Sequence, residues 1–245
     1  MLQHLEERLQ EGKLHMTLID PEKQPGDVAS GVASTMEDMG TDAIMVGGST
    51  GVTQENLDTT VKGIKSVVEI PVILFPAGAD TISRHADAIY FMSMLNSRTT
   101  RLLVGEQVQA SKTIKDLGLE TISMGYVIVE PGMKVGEVGR ANPLPRDDPE
   151  LAVNYALAAE FFGMDLFYLE AGSGAPAPVP FEIVRAVGEE VSIPLVVGGG
   201  IRDGRSARDL VEAGADVLVT GTAVERTRDL ASLKEILDAI KRGNR

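Results

Sequence analysis

Eight short apolar runs recur along the chain, and each is nearly continuous in Val, Ile, Leu, Met, Phe or Ala rather than alternating with polar residues. Runs of this kind are typical of strands buried on both faces of a parallel sheet. The predicted strands are His15–Ile19, Ala43–Val46, Val72–Phe75, Ala88–Phe91, Thr121–Val129, Leu166–Glu170, Leu195–Val197 and Val217–Thr220. Segments with helical spacing lie between many of them, for example Asn56–Val68, Arg98–Leu117, Glu150–Phe162, Arg205–Ala213 and Leu230–Lys241. This alternation predicts parallel βαβ units.

Short motifs before the strands repeat at a constant distance. A glycine and an aspartate precede both the second and the sixth run, and Asp42 and Asp165 are 123 positions apart. An Ile-Pro pair precedes the third and the seventh, and Pro71 and Pro194 are also 123 positions apart. Such a repeat predicts two sets of four βα units, which close best as a single-domain (βα)8 barrel, an α/β fold. An open doubly wound sheet is the alternative.

No linker interrupts the pattern, so we interpret residues 1–245 as one domain. The longest loop, Pro131–Pro149, follows the fifth strand. If the barrel is correct, chemistry belongs at the C-terminal ends of the strands.

Charge and composition exclude several classes of protein. The 36 acidic and 23 basic residues give a net charge of −13, which argues against nucleic-acid binding and against a polybasic membrane contact. Cysteine is absent, which excludes disulfides, thiolate nucleophiles and Cys-ligated metals. We find neither a signal sequence nor an apolar stretch long enough to span a bilayer, and we expect a cytoplasmic protein without stable membrane insertion.

The glycines gather where the predicted strands end. Gly198-Gly199-Gly200 follows the seventh strand and Gly221-Thr222 follows the eighth. Loops at these two positions are the recurrent phosphate site of the barrel fold, because backbone N–H groups and helix N-termini attract anions. Gly172-Ser173-Gly174, after the sixth strand, completes what we call the phosphate cup. The alternative is that these glycines only form tight turns.

Two carboxylates end predicted strands at the same rim. Glu170 closes the sixth strand and is placed to bind a sugar or polyol hydroxyl, or to take its proton as a general base. Asp20 ends the first strand, and together with Ser49 or Thr50 it has the oxygen atoms that suit Mg²⁺. For both residues a structural salt bridge is the alternative.

Other candidate side chains favour structural roles. His4, His15 and His85 form no triad or zinc site, and we interpret them as structural. We interpret the methionine cluster Phe91-Met92-Ser93-Met94-Leu95 as core packing in the first place. The alternative is an apolar groove beside the phosphate site, which would suit a long hydrocarbon.

Several motifs together resemble a known family. They are Leu18-Ile-Asp-Pro21, Val46-Gly-Gly-Ser-Thr-Gly51, Phe91-Met-Ser-Met-Leu-Asn-Ser97, Gly125-Tyr-Val-Ile-Val-Glu-Pro-Gly132, Tyr168-Leu-Glu-Ala-Gly-Ser-Gly-Ala175, Val197-Gly-Gly-Gly-Ile201 and Thr220-Gly-Thr222. In these motifs the chain resembles the archaeal geranylgeranylglyceryl phosphate synthases. The resemblance implies a (βα)8 prenyltransferase that alkylates the C3 hydroxyl of sn-glycerol 1-phosphate with geranylgeranyl diphosphate, releases diphosphate and uses Mg²⁺.

The resemblance also implies roles for individual residues. It places Mg²⁺ on Asp20 and Ser49. It places glycerol 1-phosphate on Tyr168, Leu169, Glu170, Ala171, Gly172, Ser173, Gly174, Gly199, Gly200, Gly221 and Thr222, with Glu170 as the catalytic base. One departure is Leu18, which stands where bacterial heptaprenylglyceryl phosphate synthases and some archaeal members have lysine, so that role is missing or has moved to Lys23.

The prenyl substrate requires a channel for its hydrocarbon and a contact for its diphosphate. We expect the hydrocarbon channel at Tyr126, Met92 and Met94, and we consider Arg98 either a diphosphate contact or a surface residue.

Family members form dimers or rings of dimers, which implies a homo-oligomer. The alternative functions are a phosphosugar isomerase or lyase on the same barrel, and a non-catalytic paralogue that binds a phosphate ligand.

Overall fold

The computed structural model describes residues 1–221 and 230–242. Eight parallel strands form a closed barrel in chain order. They are β1 (Leu14–Ile19), β2 (Ala43–Val46), β3 (Val72–Leu74), β4 (Ala88–Met94), β5 (Glu120–Ile128), β6 (Leu166–Glu170), β7 (Leu195–Gly198) and β8 (Val217–Thr220). The last strand pairs with the first, with Leu14 opposite Val217 and Thr17 opposite Thr220. The predicted barrel is therefore confirmed, and the open sheet is wrong.

Helices surround the barrel. In the described residues they are α1 (Leu2–Glu11), α2 (Asp27–Asp38), α3 (Gln54–Lys65), α4 (Glu106–Leu117), α5 (Met133–Val138), α6 (Pro149–Phe161), α7 (Phe181–Glu190), α8 (Gly204–Glu212) and α9 (Leu230–Arg242). A short π-helical segment, Arg101–Gly105, leads into α4. No helix in residues 1–221 and 230–242 is long and apolar enough to cross a bilayer.

One connection departs from the predicted repeat. Between β3 and β4, residues 75–87 contain no helix, and side chains from the flanking helices hold this segment instead. Gln54 exchanges two hydrogen bonds of 3.1 Å with the backbone of Ile82, and Glu106 Oε2 accepts from the Ala79 N–H at 2.7 Å. The segment begins with a proline and a glycine within four residues, which opposes a helix there. Its absence leaves space beside β4 and α4.

The interior of the barrel is apolar and aromatic directly below its mouth. Tyr126 lies in edge-to-face contact with Tyr168, at a centroid distance of 5.0 Å, and with Phe75 at 5.5 Å. Such contacts add to the hydrophobic stabilisation of buried rings. Since all three rings are packed against one another, they form a closely packed aromatic layer below the mouth.

His15, the second residue of β1, is completely buried. Its two ring nitrogens lie 2.8 Å from Thr41 Oγ1 and 2.9 Å from Thr220 Oγ1. Burial lowers the pKa of His15 to about 4. The adjacent Asp42 carboxylate accepts hydrogen bonds from Arg8 and Lys241, so it joins α1 and α9 to the barrel.

Candidate active site

Glu170 is a buried carboxylate at the mouth of the barrel. It is the last residue of β6 and is 7% exposed. Oε2 accepts a hydrogen bond from the Tyr168 hydroxyl at 2.8 Å, and Oε1 accepts one from the Gly172 N–H at 2.6 Å. Burial raises the pKa of Glu170, and the two hydrogen bonds oppose that shift only in part. The result is a fixed carboxylate that binds a proton more readily than an exposed glutamate.

The glycines after β7 make room for this carboxylate. A Cβ atom on Gly198 would lie 2.2 Å from the Tyr168 hydroxyl, and one on Gly199 would lie 2.4 Å from Glu170 Oε1. Either contact is impossible without moving the pair. This steric role is separate from phosphate binding and from turn formation, and only the packed structure reveals it.

The phosphate cup is a cavity of about 200 Å³ directly beside Glu170. It brings together six of the predicted glycerol phosphate residues besides Glu170, namely Tyr168, Ser173, Gly174, Gly199, Gly200 and Gly221. Gly199 and Gly200 have φ angles of 81° and 73°, which favour glycine, and their N–H groups have no acceptor among the described residues. These donors are available to an anion in the cup.

Other predicted residues have different places. The side chains of Leu169 and Ala171 belong to the hydrophobic core outside the strands, so the structure does not bring them into the cup. Gly172 borders Glu170 through its N–H group. Thr222 lies outside the described residues.

The predicted glycerol phosphate residues did not include seven others that line the cup: Leu18, Ile201, Arg202, Val219, Thr220, Ser232 and Leu233. Leu18 belongs to the motif Leu18-Ile-Asp-Pro21, and its apolar side chain lines the cup. Arg202 follows the Gly-Gly-Gly motif by two positions, and this closeness to the phosphate loop was a usable signal. Ser232 is on α9, far from any motif, and only the folded chain brings it to the cup.

Asp20 and Ser49 follow adjacent strands, β1 and β2. Asp20 is 8% exposed, its Oδ1 accepts from the Glu22 N–H at 3.0 Å, and Lys23 Nζ is 3.7 Å from Oδ2. A Cβ on Gly48 would lie 2.4 Å from Asp20 Oδ1, so glycine lets the backbone beside Ser49 approach this carboxylate.

This donor set fits a hard cation with few protein ligands. In the described part of the chain no group of three or more His, Cys, Asp and Glu residues could hold a metal ion. A carboxylate and a hydroxyl are nevertheless what Mg²⁺ uses when substrate phosphates supply its other ligands. The residues present are therefore compatible with a shared site rather than a metal cage.

A second cavity, the apolar cavity, opens from the cup. The two share Leu18, Glu170 and Ser173, and the apolar cavity also reaches Ser49. The predicted channel residues Tyr126, Met92 and Met94 all line it. Arg98 does not, since its N–H and Nε donate to the Arg140 carbonyl.

The apolar cavity continues into a deep cavity between β4 and α4. Met92, Met94 and Leu102 line both, and Ile89, Ala110 and Ile114 surround the inner part. The deep cavity also borders residues 76–79 of the helix-free connection. The phosphate cup, with its N–H donors, thus leads into the apolar cavity and then into the deep cavity. We call these two cavities together the apolar path; it passes through the wall of the barrel.

The C-terminal ends of the strands of this (βα)8 barrel carry a phosphate cup, a buried glutamate and an apolar path. These features are typical of an enzyme that binds a phosphate ligand. Residues 3–243 match the PcrB family, and the chain belongs to this family.

Relatives and solved structures confirm the resemblance to the geranylgeranylglyceryl phosphate synthases. The chain is 50% identical over 240 residues to the enzyme of that name from Pyrococcus horikoshii, covering 98% of this chain and 94% of the relative. It is 52% identical over 241 residues to the one from Pyrococcus abyssi, covering 98% and 96%. The synthase from Thermoplasma acidophilum, solved in complex with sn-glycerol-1-phosphate, superposes with a TM-score of 0.96 at 45% identity, covering 99% of this chain and 98% of that one.

Proposed function

We propose that the protein transfers a geranylgeranyl group from geranylgeranyl diphosphate to the C3 hydroxyl of sn-glycerol 1-phosphate. The observation that carries this proposal is that Glu170 and Ser173 line both the phosphate cup and the apolar cavity. A phosphate ligand and a hydrocarbon ligand would therefore meet at one buried carboxylate. The similarity to named synthases supports the same assignment.

Glu170 is the general base of the proposed reaction. The C3 oxygen forms a bond to the allylic carbon, the bond from that carbon to the diphosphate oxygen breaks, and the hydroxyl proton passes to Glu170. Tyr168 and the Gly172 N–H fix the carboxylate, which limits its reorientation during the transfer. The raised pKa of Glu170 strengthens it as a base toward an alcohol.

The phosphate cup fixes the acceptor. Donors from Gly199 and Gly200 bind the phosphate, and the short glycerol chain then extends toward Glu170, which lies at the edge of the same cavity. An N–H cup binds a phosphate without requiring a basic surface, which is compatible with the acidic chain.

Asp20 and Ser49 would hold Mg²⁺ together with the diphosphate of the prenyl donor. Bound there, the ion would neutralise negative charge on the leaving group. Ser49 also lines the apolar cavity, so the diphosphate would enter from the rim of β1 and β2 with its hydrocarbon directed toward Met92 and Leu102.

A product assay tests the function. The purified chain is incubated with radiolabelled geranylgeranyl diphosphate and either sn-glycerol 1-phosphate or sn-glycerol 3-phosphate, with Mg²⁺ or with a chelator. We expect a butanol-extractable prenylglyceryl phosphate with the 1-phosphate and Mg²⁺. Binding of glycerol phosphate in calorimetry without any lipid product would identify a non-catalytic paralogue and overturn the proposal.

We also propose a homo-oligomer. Helix α6 ends at Phe161 and Phe162 follows it, and these two side chains are 80% and 74% exposed in the isolated chain. Adjacent exposed aromatic side chains are typical of protein interfaces. Light scattering coupled to size exclusion tests this, and a monomeric mass at micromolar concentration contradicts it.

A further inference from the structure

Two arginines hold the β6 loop, residues 171–180, by its carbonyl groups. Arg202 Nη2 donates to the Gly174 carbonyl at 3.1 Å and to the Ala175 carbonyl at 2.8 Å. Arg146 Nη2 donates to the Pro178 carbonyl at 2.7 Å, and its Nη1 donates to the Glu130 carbonyl at 3.0 Å. The loop that carries Ser173 and Gly174 into the phosphate cup is therefore bound from the β7 side by one arginine and from the β5 side by the other.

The two arginines differ in what they face. Arg202 lines the phosphate cup, whereas Arg146 lines neither the cup nor the apolar path. Among the described residues that line the cup, Arg202 is the only lysine or arginine. Both N–H groups of its Nη2 are used on the two carbonyls, and the described residues offer no acceptor for Nε or Nη1.

A cation in the cup would offset the negative charge that gathers there. Glu170 contributes a carboxylate to the same cavity, and the whole chain has a net charge of −13. A phosphate monoester would bring nearly two further negative charges, as a phosphorylated side chain does near neutral pH. Backbone N–H groups supply only partial positive charges. An arginine that is already fixed by two carbonyls offers its remaining donors with little loss of side-chain entropy.

We propose that Arg202 is a positioning residue of the phosphate site, which both fixes the β6 loop and supplies the cationic charge that favours a phosphate in the cup. The proposal rests on the proposed function, because it assumes that the cup holds the phosphate of the acceptor. It assigns no part in proton transfer to Arg202. We therefore expect its removal to act mainly on acceptor binding rather than on proton transfer to Glu170.

Three variants separate the charge from the loop contact. Arg202→Gln removes the charge, Arg202→Lys keeps it without the planar fork, and Arg146→Gln removes a comparable loop contact outside the cup. We expect Arg202→Gln to raise the KM for sn-glycerol 1-phosphate by about 10- to 100-fold, the size of one lost charge-assisted hydrogen bond. The kcat and the KM for the prenyl diphosphate should stay within about threefold. Arg202→Lys should recover part of the loss, and Arg146→Gln should change the KM for the acceptor by less than about threefold.

Calorimetry tests the inference without turnover. Inorganic phosphate and sn-glycerol 1-phosphate are titrated into the same variants at low and at high salt. The affinity of the wild type should fall with salt more steeply than that of Arg202→Gln, because screening acts on the charge that the variant lacks. If the wild type forms no prenyl product but shows this difference, the proposed reaction fails and the role of Arg202 survives. Equal loss of phosphate affinity in Arg202→Gln and Arg146→Gln, or no loss in Arg202→Gln, overturns the role.

Discussion

Tyr168 donates a hydrogen bond of 2.8 Å to Glu170 from two positions earlier on the same strand. Residues i and i+2 of a strand point to the same face, so both side chains are directed into the barrel. Gly198 on the neighbouring strand has no side chain, and a Cβ there would lie 2.2 Å from the Tyr168 hydroxyl. The pair is therefore a product of strand periodicity and one glycine, and its hydrogen bond lowers the pKa of Glu170 against the larger, raising effect of burial.

Replacing Glu170 with glutamine should abolish most of the turnover while stabilising the fold. Loss of a general base typically reduces kcat by about 10²- to 10⁴-fold. Glutamine can still accept from the Gly172 N–H and donate to Tyr168, so acceptor binding should persist. Steady-state kinetics and calorimetry with sn-glycerol 1-phosphate measure the two effects, and an unchanged kcat would remove Glu170 as the base.

The same variant should melt at a higher temperature near neutral pH. Burial raises the pKa of Glu170 in the folded state above its ordinary value of 4.5. A carboxyl group whose pKa is raised in the folded state stabilises the fold fully below its unfolded pKa. This stabilisation is lost as the pH rises through the folded pKa. The non-titrating glutamine avoids this loss, so the gain in melting temperature should shrink as the pH falls toward 4.5. A gain that is independent of pH would show that packing, not ionisation, causes it.

Replacing Tyr168 with phenylalanine should move the acid limb of the kcat profile to higher pH. The Tyr168 hydroxyl lowers the pKa of Glu170, in opposition to burial, so its removal raises that pKa further. The base must be ionised to act, and activity is therefore lost at a higher pH as the solution is acidified. A pH profile of kcat at saturating substrates measures the shift. Tyr90→Phe, which changes a buried tyrosine bonded to Met16 rather than to Glu170, is the control, and an equal shift there contradicts the assignment.

The barrel and the position of the site at its mouth could be predicted from the sequence, because they depend on periodicity and on where strands end. Continuous apolar runs and the 123-residue repeat gave the barrel, and the position of Glu170 at a strand end placed it at the mouth. The helix-free connection after β3 was not predicted, because what replaces the helix is a set of contacts from Gln54 and Glu106, which are distant in the chain. Contacts of this kind leave no local pattern.

The same limit applies within the site. Motifs around β6, β7 and β8 marked the cup, but the resemblance assigned consecutive residues of the β6 motif to the ligand, whereas Leu169 and Ala171 alternate with Tyr168 and Glu170 and face the outer core. The motifs also could not show that Ser232 reaches the cup from α9. Side-chain direction depends on the pleat of a strand once its register is fixed, and convergence of distant elements depends on the closed barrel.

Leu102 should control the length of the prenyl group. It lines both the apolar cavity and the deep cavity, so a larger side chain there would divide them. We expect Leu102→Trp to favour farnesyl diphosphate over geranylgeranyl diphosphate, with kcat/KM for the longer donor falling by about tenfold or more. Product analysis with both donors measures this preference.

Val104→Trp is the matched control for that experiment. Val104 is in the same π-helical segment but is 55% exposed and lines neither cavity. It should leave the donor preference unchanged. If both tryptophan variants shift the preference equally, the effect comes from the segment as a whole and not from the boundary between the two cavities.

His15 should make the fold sensitive to acid. Its pKa falls from 6.5 to about 4 because it is buried, so the neutral ring is favoured in the folded state. That stabilisation is present above pH 6.5 and is lost as the pH falls through 4, with a total of roughly 3 kcal/mol. Unfolding by denaturant between about pH 7 and pH 4 should show a smaller loss of free energy in His15→Gln than in the wild type. His4→Gln, at an exposed position of α1, should follow the wild type, and identical pH dependence in all three proteins would show that carboxylates alone cause the acid sensitivity.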